Sequence, residues 1–452
     1  MLDKLYINGE IVSHTGRWRG CIGVKEGKIA SLALTPDGIA AREVIDLCGK
    51  TVLPGCIDAH IHFQDPGITH REDFVCGTAA AASSGVTTAI SHPMNIPPVV
   101  DVESYNINLA AYEGRGYIDY GLHGGAVATN LDRVDDLWRK TGATAIKMFM
   151  CFSVADFPYV QDDVMYKHFE ILAKNGGLAL IHCENDSILK MKEAELKAQG
   201  RNDGIAYNES HPEYAENEAV ERAIFFLKQT GAQAVILHVT NATALEMIHE
   251  AQQRGVKVFA ETCPHFLTFV KEDMKKHGPY LKFSPVMHEE ENREKLWEMI
   301  DKGYVSTFAS DHSPYEKSEK EAGEENIWLA PNGIPGTETL LPTLLNGVNQ
   351  GRISLERVVE ITSYNPAQIY GLYPQKGVLQ LGSDADFVVV DMDMVKTYTV
   401  DDMKSKCKWS PYFGLTYHGW PVRTVVRGET VCLNGQIVGR LGYGQYVGRP
   451  KK

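Results

Sequence analysis

Short apolar runs and longer amphipathic stretches alternate through the middle of this chain. Runs rich in β-branched residues at 51–63 (TVLPGCIDAHIHF), 86–93, 118–127, 145–151, 178–185, 234–240, 256–263 and 305–312 are predicted as strands. Helical spacing falls between several of them, at 74–84, 132–141, 163–175, 216–230, 242–254 and 289–302. Eight strands with intervening helices predict an α/β fold, a (β/α)₈ TIM barrel occupying 54–370. The flanks differ. Residues 1–53 and 371–452 carry short strand runs, as at 385–390 and 423–427, with turn signals at Asn8-Gly9 and Glu26-Gly27. They are predicted to join in one small β-sandwich domain built from both chain termini. Residues 441–452 show no periodicity and are expected to form an extended arm.

The polar residues that end these runs sharpen the picture. Barrel strands are parallel, so their C-terminal ends gather at one face, where active sites are built. His60 and His62, Lys147, His182, His238 and Asp311 lie at or near the C-terminal ends of different predicted strands and would converge there. His60 and His62 are two residues apart and so face one side of their strand. Four histidines, a lysine and an aspartate form a ligand set for two metal ions. Such ions lower the pKa of bound water from about 15.7 to about 7 and polarise a carbonyl, which suits hydrolysis of an unreactive amide.

Composition removes several alternatives. The chain has 452 residues, 44% hydrophobic and 23% charged, which is globular and long enough for two structural units. A formal net charge of -13 without a basic stripe argues against a nucleic-acid partner. The cysteines at 21, 48, 56, 76, 151, 183, 263, 407 and 432 are odd in number, and several fall inside apolar runs, as expected of reduced thiols. The N-terminal residues alternate like a strand, and no apolar stretch reaches the roughly 20 residues of a membrane helix. A cytoplasmic protein with no membrane partner is expected.

Longer motifs point to a family. PGCIDAHIHFQDPG, EDFVCGTAAAASSGVTTAISHPMNIPP, IKMF, LIHCEN, LHVT, ETCPHFLT, SPVMHEEEN, SDHSPY, NGIPG and NPAQIYGLYPQKGVLQLGSDADFVVVD, in that order, cover nearly the whole chain. It resembles the cyclic amidohydrolases of the amidohydrolase superfamily, the group of allantoinase, hydantoinase, dihydropyrimidinase and dihydroorotase. The resemblance implies a Lys147 carboxylated on its side-chain nitrogen (N6) that bridges two divalent ions, zinc first, with manganese or cobalt as substitutes. His60, His62, Lys147 and Asp311 would hold one ion, and Lys147, His182 and His238 the other. The catalytic residue implied is Asp311, which moves a proton from the attacking hydroxide to the leaving nitrogen. Ser284 and Asn332 would hold a small cyclic substrate, with Phe152 as a wall, in a homo-oligomer of the tetrameric kind. A lysine inside an apolar strand is costly as a cation, and carboxylation turns it into an anion that metals neutralise.

The ring can be narrowed by what is missing. Dihydroorotase-like sequences carry an arginine two residues after the second histidine, where this chain has Gln64; a fixed cation for a substrate carboxylate is absent. Hydantoinases of the D type and dihydropyrimidinases carry a tyrosine five residues past the lysine, where Phe152 offers no hydroxyl to an oxyanion. The reading favoured is opening of allantoin to allantoate, a step of purine metabolism, with L-hydantoinase or another cyclic imide or ureide hydrolase as the alternative. Three places depart from the allantoinase pattern: Ile68 after Asp65-Pro66-Gly67, His288, and Asn332. His265 and His312 are expected to support the ligands, His70, His92 and His123 have no assigned role, and the charged stretch 314–331 is expected to be a loop at the mouth, either mobile or simply solvated.

Overall fold

The computed structural model describes residues 1–450. Eight parallel strands form a barrel: Cys56–Ile61, Val86–Ser91, Asp119–Leu122 with Gly124–Gly125, Ile146–Phe149, Leu178–His182, Gln233–Ile236, Val258–Thr262 and Thr307–Phe308. The third strand joins two arcs, since Asp119–Leu122 pairs with the second strand and Gly124–Gly125 with the fourth. The ring shuts between the first and eighth strands, where Ile61 bridges His312 and the His62 amide donates to the His312 carbonyl at 2.8 Å. Strands such as Val86–Ser91 and Leu178–His182 are buried at every position, which explains why they read as continuous apolar runs.

Outer helices cover the barrel through a large shared core that includes Phe169, Leu172, Val220, Leu245 and Ile248. Truncating one of these fully buried leucines to alanine costs about 2–5 kcal/mol. Side-chain caps start several helices: Asp73 accepts from the Cys76 amide ahead of Phe74–Ser83, and Asn241 from the Ala244 amide ahead of Ala242–Gln253. Helices Val102–Tyr112 and Asp186–Ala198 have no counterpart in the periodicity. The first buries Ser104 and Asn108 among its inward residues, and the second buries only Leu196, so neither carries an apolar stripe.

The chain ends build a mixed sheet. Strands from 2–54 and from 387–437 form one nine-stranded sheet, eight of them along a single hydrogen-bonded path and Ala41–Asp46 branching from Leu2–Ser13. Leu2–Ser13 bulges between Tyr6 and Gly9; its first half pairs with Ala41–Asp46 and its second with Thr51–Pro54. Tyr6, Ile22, Val52, Phe387 and Val425 form the core of this domain. The run 51–63 is therefore two strands, divided at Gly55. A Cβ at Gly55 would lie 2.1 Å from the Thr87 hydroxyl oxygen, so only glycine fits where the two domains meet.

A buried ion cluster pins the domains together. The Lys376 ammonium meets Asp386 at 2.6 Å and Asp384 at 2.9 Å from the terminal sheet, and also Asp119 of the third barrel strand. Arg427 pairs with the same Asp119. The tail is not a free arm: the Tyr120 amide donates to Gln445 at 3.0 Å and the Val447 amide to Tyr120 at 2.7 Å, laying the tail along the barrel. The stretch 314–331 holds a helix at Lys317–Glu321 and a short turn at Ile327–Leu329, and Lys320 within it is fully buried. Among the described residues no helix is long and apolar enough to cross a membrane, and all nine cysteines are free thiols.

Candidate active site

The six expected ligands meet at one end of the barrel. His60, His62, Lys147, His182, His238 and Asp311 all line one cavity that is open to solvent. Backbone geometry aims three of the site's residues: Gln64, His238 and Asp311 have φ of 60°, 37° and 44°, in the left-handed region that non-glycine residues rarely occupy. Such conformations cost about 1–3 kcal/mol each and gather where function holds them.

Hydrogen bonds set the imidazole tautomers. His60 Nδ1 lies 2.7 Å from Glu261 Oε1; protonated there, the ring leaves its Nε2 lone pair facing Asp311 Oδ1 at 3.1 Å. His62 Nε2 lies 3.2 Å from the same oxygen. His182 Nε2 donates to Glu184 at 2.7 Å, so its Nδ1 lone pair faces His238 Nε2 at 2.9 Å. Burial holds His60, His182 and His238 below the ordinary histidine pKa, keeping them neutral, as metal ligands must be. Acceptor therefore faces acceptor at His60 and Asp311. This donor set fits divalent cations.

Outer residues hold the inner ones. Buried Asp58 accepts from the Ser310 amide at 3.0 Å, the Ser310 hydroxyl at 2.6 Å and the Thr337 hydroxyl at 2.9 Å, tying the first strand to the loop that carries Asp311. Burial raises the Asp58 pKa, and these bonds oppose the rise. Glu184 also accepts from the Ser284 hydroxyl at 2.7 Å. Burial alone would raise Glu184, but charge on His211 and the bond from His182 bring it below the usual carboxylate value. Glu184 was within reach of the sequence, two residues past His182; Glu261 was not, because a carboxylate in a strand announces nothing without its partner.

Lys147 is 1% exposed. Among the described residues its ammonium has no carboxylate partner, and it lies 4.3 Å from the centre of the Phe149 ring. Burial lowers its pKa from 10.5 to about 8, against the pull of Asp311 and Glu261.

The remaining residues divide. Ser284 and Asn332 line the cavity. The expected Phe152 wall does not form: that ring is 60% exposed, and Phe149 and Phe157 line the cavity instead. His312 turns away, its Nδ1 accepting from the Gly336 amide at 3.2 Å and its Nε2 lying 3.4 Å from Glu72. His123 is bonded to the Ala59 carbonyl and the Thr144 hydroxyl, both at 2.9 Å. Buried His265 packs on Phe283 with centroids 4.2 Å apart, and His70 is exposed beside Glu316 and Glu319. His92 stacks on His60 with centroids 3.8 Å apart and planes 5° from parallel.

A profile of the Amidohydrolase family matches residues 51–431. The chain belongs to the amidohydrolase family. This amidohydrolase is 36% identical to the L-hydantoinase of Paenarthrobacter aurescens, covering 99% of this chain and 98% of that one. It is 35% identical to the allantoinase of Deinococcus radiodurans, covering 97% of each. Among solved structures, L-hydantoinase (dihydropyrimidinase) from Arthrobacter aurescens superposes with a TM-score of 0.97 over 99% of this chain and 100% of that one, at 36% identity. The shared architecture is the TIM barrel with its separate terminal β domain.

Proposed function

We propose that this amidohydrolase opens the ring of a small cyclic ureide by hydrolysing an amide C–N bond. The observation that carries the reading is the facing of lone pairs at His60 Nε2 and Asp311 Oδ1, 3.1 Å apart, which asks for a cation between them. His60, His62 and Asp311 would hold one ion and His182 with His238 the other, with Lys147, carboxylated, between them; zinc is the first candidate, manganese and cobalt the substitutes. Two such ions would generate a nucleophile from water at neutral pH and polarise the scissile carbonyl. Asp311 takes the proton from the attacking water and returns it to the ring nitrogen as the C–N bond breaks. Ser284 and Asn332 hold the ring amide.

The cavity disfavours anionic rings. Gln64 stands where a carboxylate-binding cation would sit, and Arg71, at the rim, is engaged by Glu319 at 2.6 Å. A neutral five-membered ureide fits better. Allantoin is the first ring to test, from the motifs and the allantoinase relatives. A second reading has a specific observation behind it: Met94, Ile96, Pro98, Phe149, Phe157 and Phe283 give the cavity an apolar side, which suits a hydantoin bearing an apolar 5-substituent. The assay is kcat/KM for allantoin, both enantiomers of 5-benzylhydantoin, dihydrouracil and dihydroorotate on metal-loaded protein. Ring opening of none of them would overturn the function; dihydroorotate as best substrate would overturn the reading of Gln64. A cytoplasmic homotetramer completes the proposal, tested by fractionation and by sedimentation.

A further inference from the structure

Two buried lysines outside the metal cluster hold no carboxylate. Lys282 and Lys320 are 4% and 0% exposed. The Lys282 ammonium donates to the carbonyls of Ile327 at 2.9 Å and Ala330 at 2.5 Å, and lies 4.5 Å from the centre of the Tyr207 ring. The Lys320 ammonium donates to the carbonyls of Lys282 at 3.2 Å and Pro331 at 2.8 Å, and lies 5.5 Å from the Trp409 ring. Among the described residues both ammoniums contact main-chain carbonyls and aromatic faces and form no ion pair with a carboxylate, at a considerable desolvation cost.

What these carbonyls have in common is their position. Residues 327–331 run directly into Asn332 and Gly333, which line the cavity, and Lys282 lies two residues before Ser284, which also lines it. The Gly333 amide donates to the Lys282 carbonyl at 3.1 Å, so the two segments are stitched side by side. The Tyr207 ring under the Lys282 ammonium also lies close to Ser284 and Asn332. Glu319, next to Lys320, grips Arg71 of the cavity rim. These links end on the segments that carry Ser284, Asn332 and Gly333, and none ends on a metal ligand.

We propose that Lys282 and Lys320 are positioning residues: two buried ammonium clips that hold the wall bearing Ser284 and Asn332 at the distance the substrate ring requires. The proposal rests on the reading of this cavity as a ureide site for its kinetic consequence, and on the fold alone for its dynamic one. Losing either clip loosens the wall without touching the metal cluster.

The test uses Lys320→Met and Lys282→Met, each keeping the aliphatic stem, on the full metal-loaded chain. Metal content is expected to stay at the wild-type value. KM for the best ureide substrate rises about tenfold or more, the scale of one lost charge-assisted hydrogen bond, with a smaller change in kcat. Hydrogen exchange followed by mass spectrometry reads the wall independently of any substrate: amides in 327–334 exchange faster in either variant and those of 178–182 do not. Unchanged KM together with unchanged exchange in 327–334 overturns the proposal. If neither variant folds, the wild type still decides, because exchange of the Gly333 amide as fast as an unbonded loop amide overturns it and strong protection supports it. A chain that opens no ureide yet shows the exchange pattern refutes the function and leaves the clips standing.

Discussion

Lys147 offers a quantitative test of how the proposed metal centre would assemble. Carboxylation needs the neutral amine, which attacks dissolved CO2, and burial in an apolar strand lowers this amine's pKa from 10.5 to about 8. At pH 7 about a tenth of Lys147 is then neutral, against about 0.03% of an ordinary lysine, a gain in reactive amine of roughly 300-fold. The perturbation is pH during reconstitution. Protein stripped by a chelator in CO2-free buffer is returned to cobalt at fixed dissolved CO2, and the growth of the cobalt absorption is followed. The initial rate is expected to climb about tenfold from pH 6 to 7, to bend near pH 8 and to be flat by pH 9, within about a unit of the amine's pKa. The same shift gives the metal-free fold a stability that rises between about pH 8 and 10.5, where the unfolded chain still holds the proton that the folded one has lost. A rate that kept climbing tenfold per pH unit through pH 9, or that ignored CO2, would refute the reasoning.

Other outcomes follow from single contacts. Glu261→Gln weakens the acceptor that orients His60 and is expected to lower metal affinity about 10–100-fold, read by chelator competition; unchanged affinity would remove Glu261 from the design. Asp311→Asn is expected to lose about 10²–10⁴ in kcat while keeping its fold, and a variant with both metals and more than a tenth of wild-type turnover would exclude Asp311 as the proton carrier. Lys376→Met leaves buried Asp386 without its cation, and Asp119 and Asp384 with only Arg427 and Lys28, and is expected to destabilise the protein by about 3–5 kcal/mol in denaturant unfolding; a loss under about 1 kcal/mol would mean that the cluster does not pin the domains.

Much of this was legible in order, because a strand buried on both faces writes a continuous apolar run and its C-terminal end writes the polar residue that follows. His182 after Leu178–Ile181 is the plainest case. The eighth strand was harder: only Thr307–Phe308 pairs, and Asp311 is presented by a left-handed turn that no periodicity encodes. The ring of Phe152 turns outward, which its place five residues after Lys147 could not reveal. Glu261, Lys282 and Lys320 were silent for one reason: each acts through partners that only the fold brings to it. Glu261 bonds a residue 201 positions earlier, and a lone lysine in a charged stretch reads as solvated surface.

The joining of both termini in one sheet shapes how the chain is made. Thr51–Pro54 pairs with Phe387–Val390 and, through it, with Thr416–Val426. Between Pro54 and Phe387 lie roughly 330 residues, about 20–70 seconds of synthesis at ordinary ribosomal rates. Throughout that interval the first strands stand as half a sheet with an open edge, a state that invites pairing with other chains. The barrel strands reach the ribosome exit earlier, but the cation that locks them to the sheet, Lys376, comes only at the end of the barrel, and its partners Asp384 and Asp386 come later still. Completion of the C-terminal strands is therefore the event that closes the edge and commits the whole molecule.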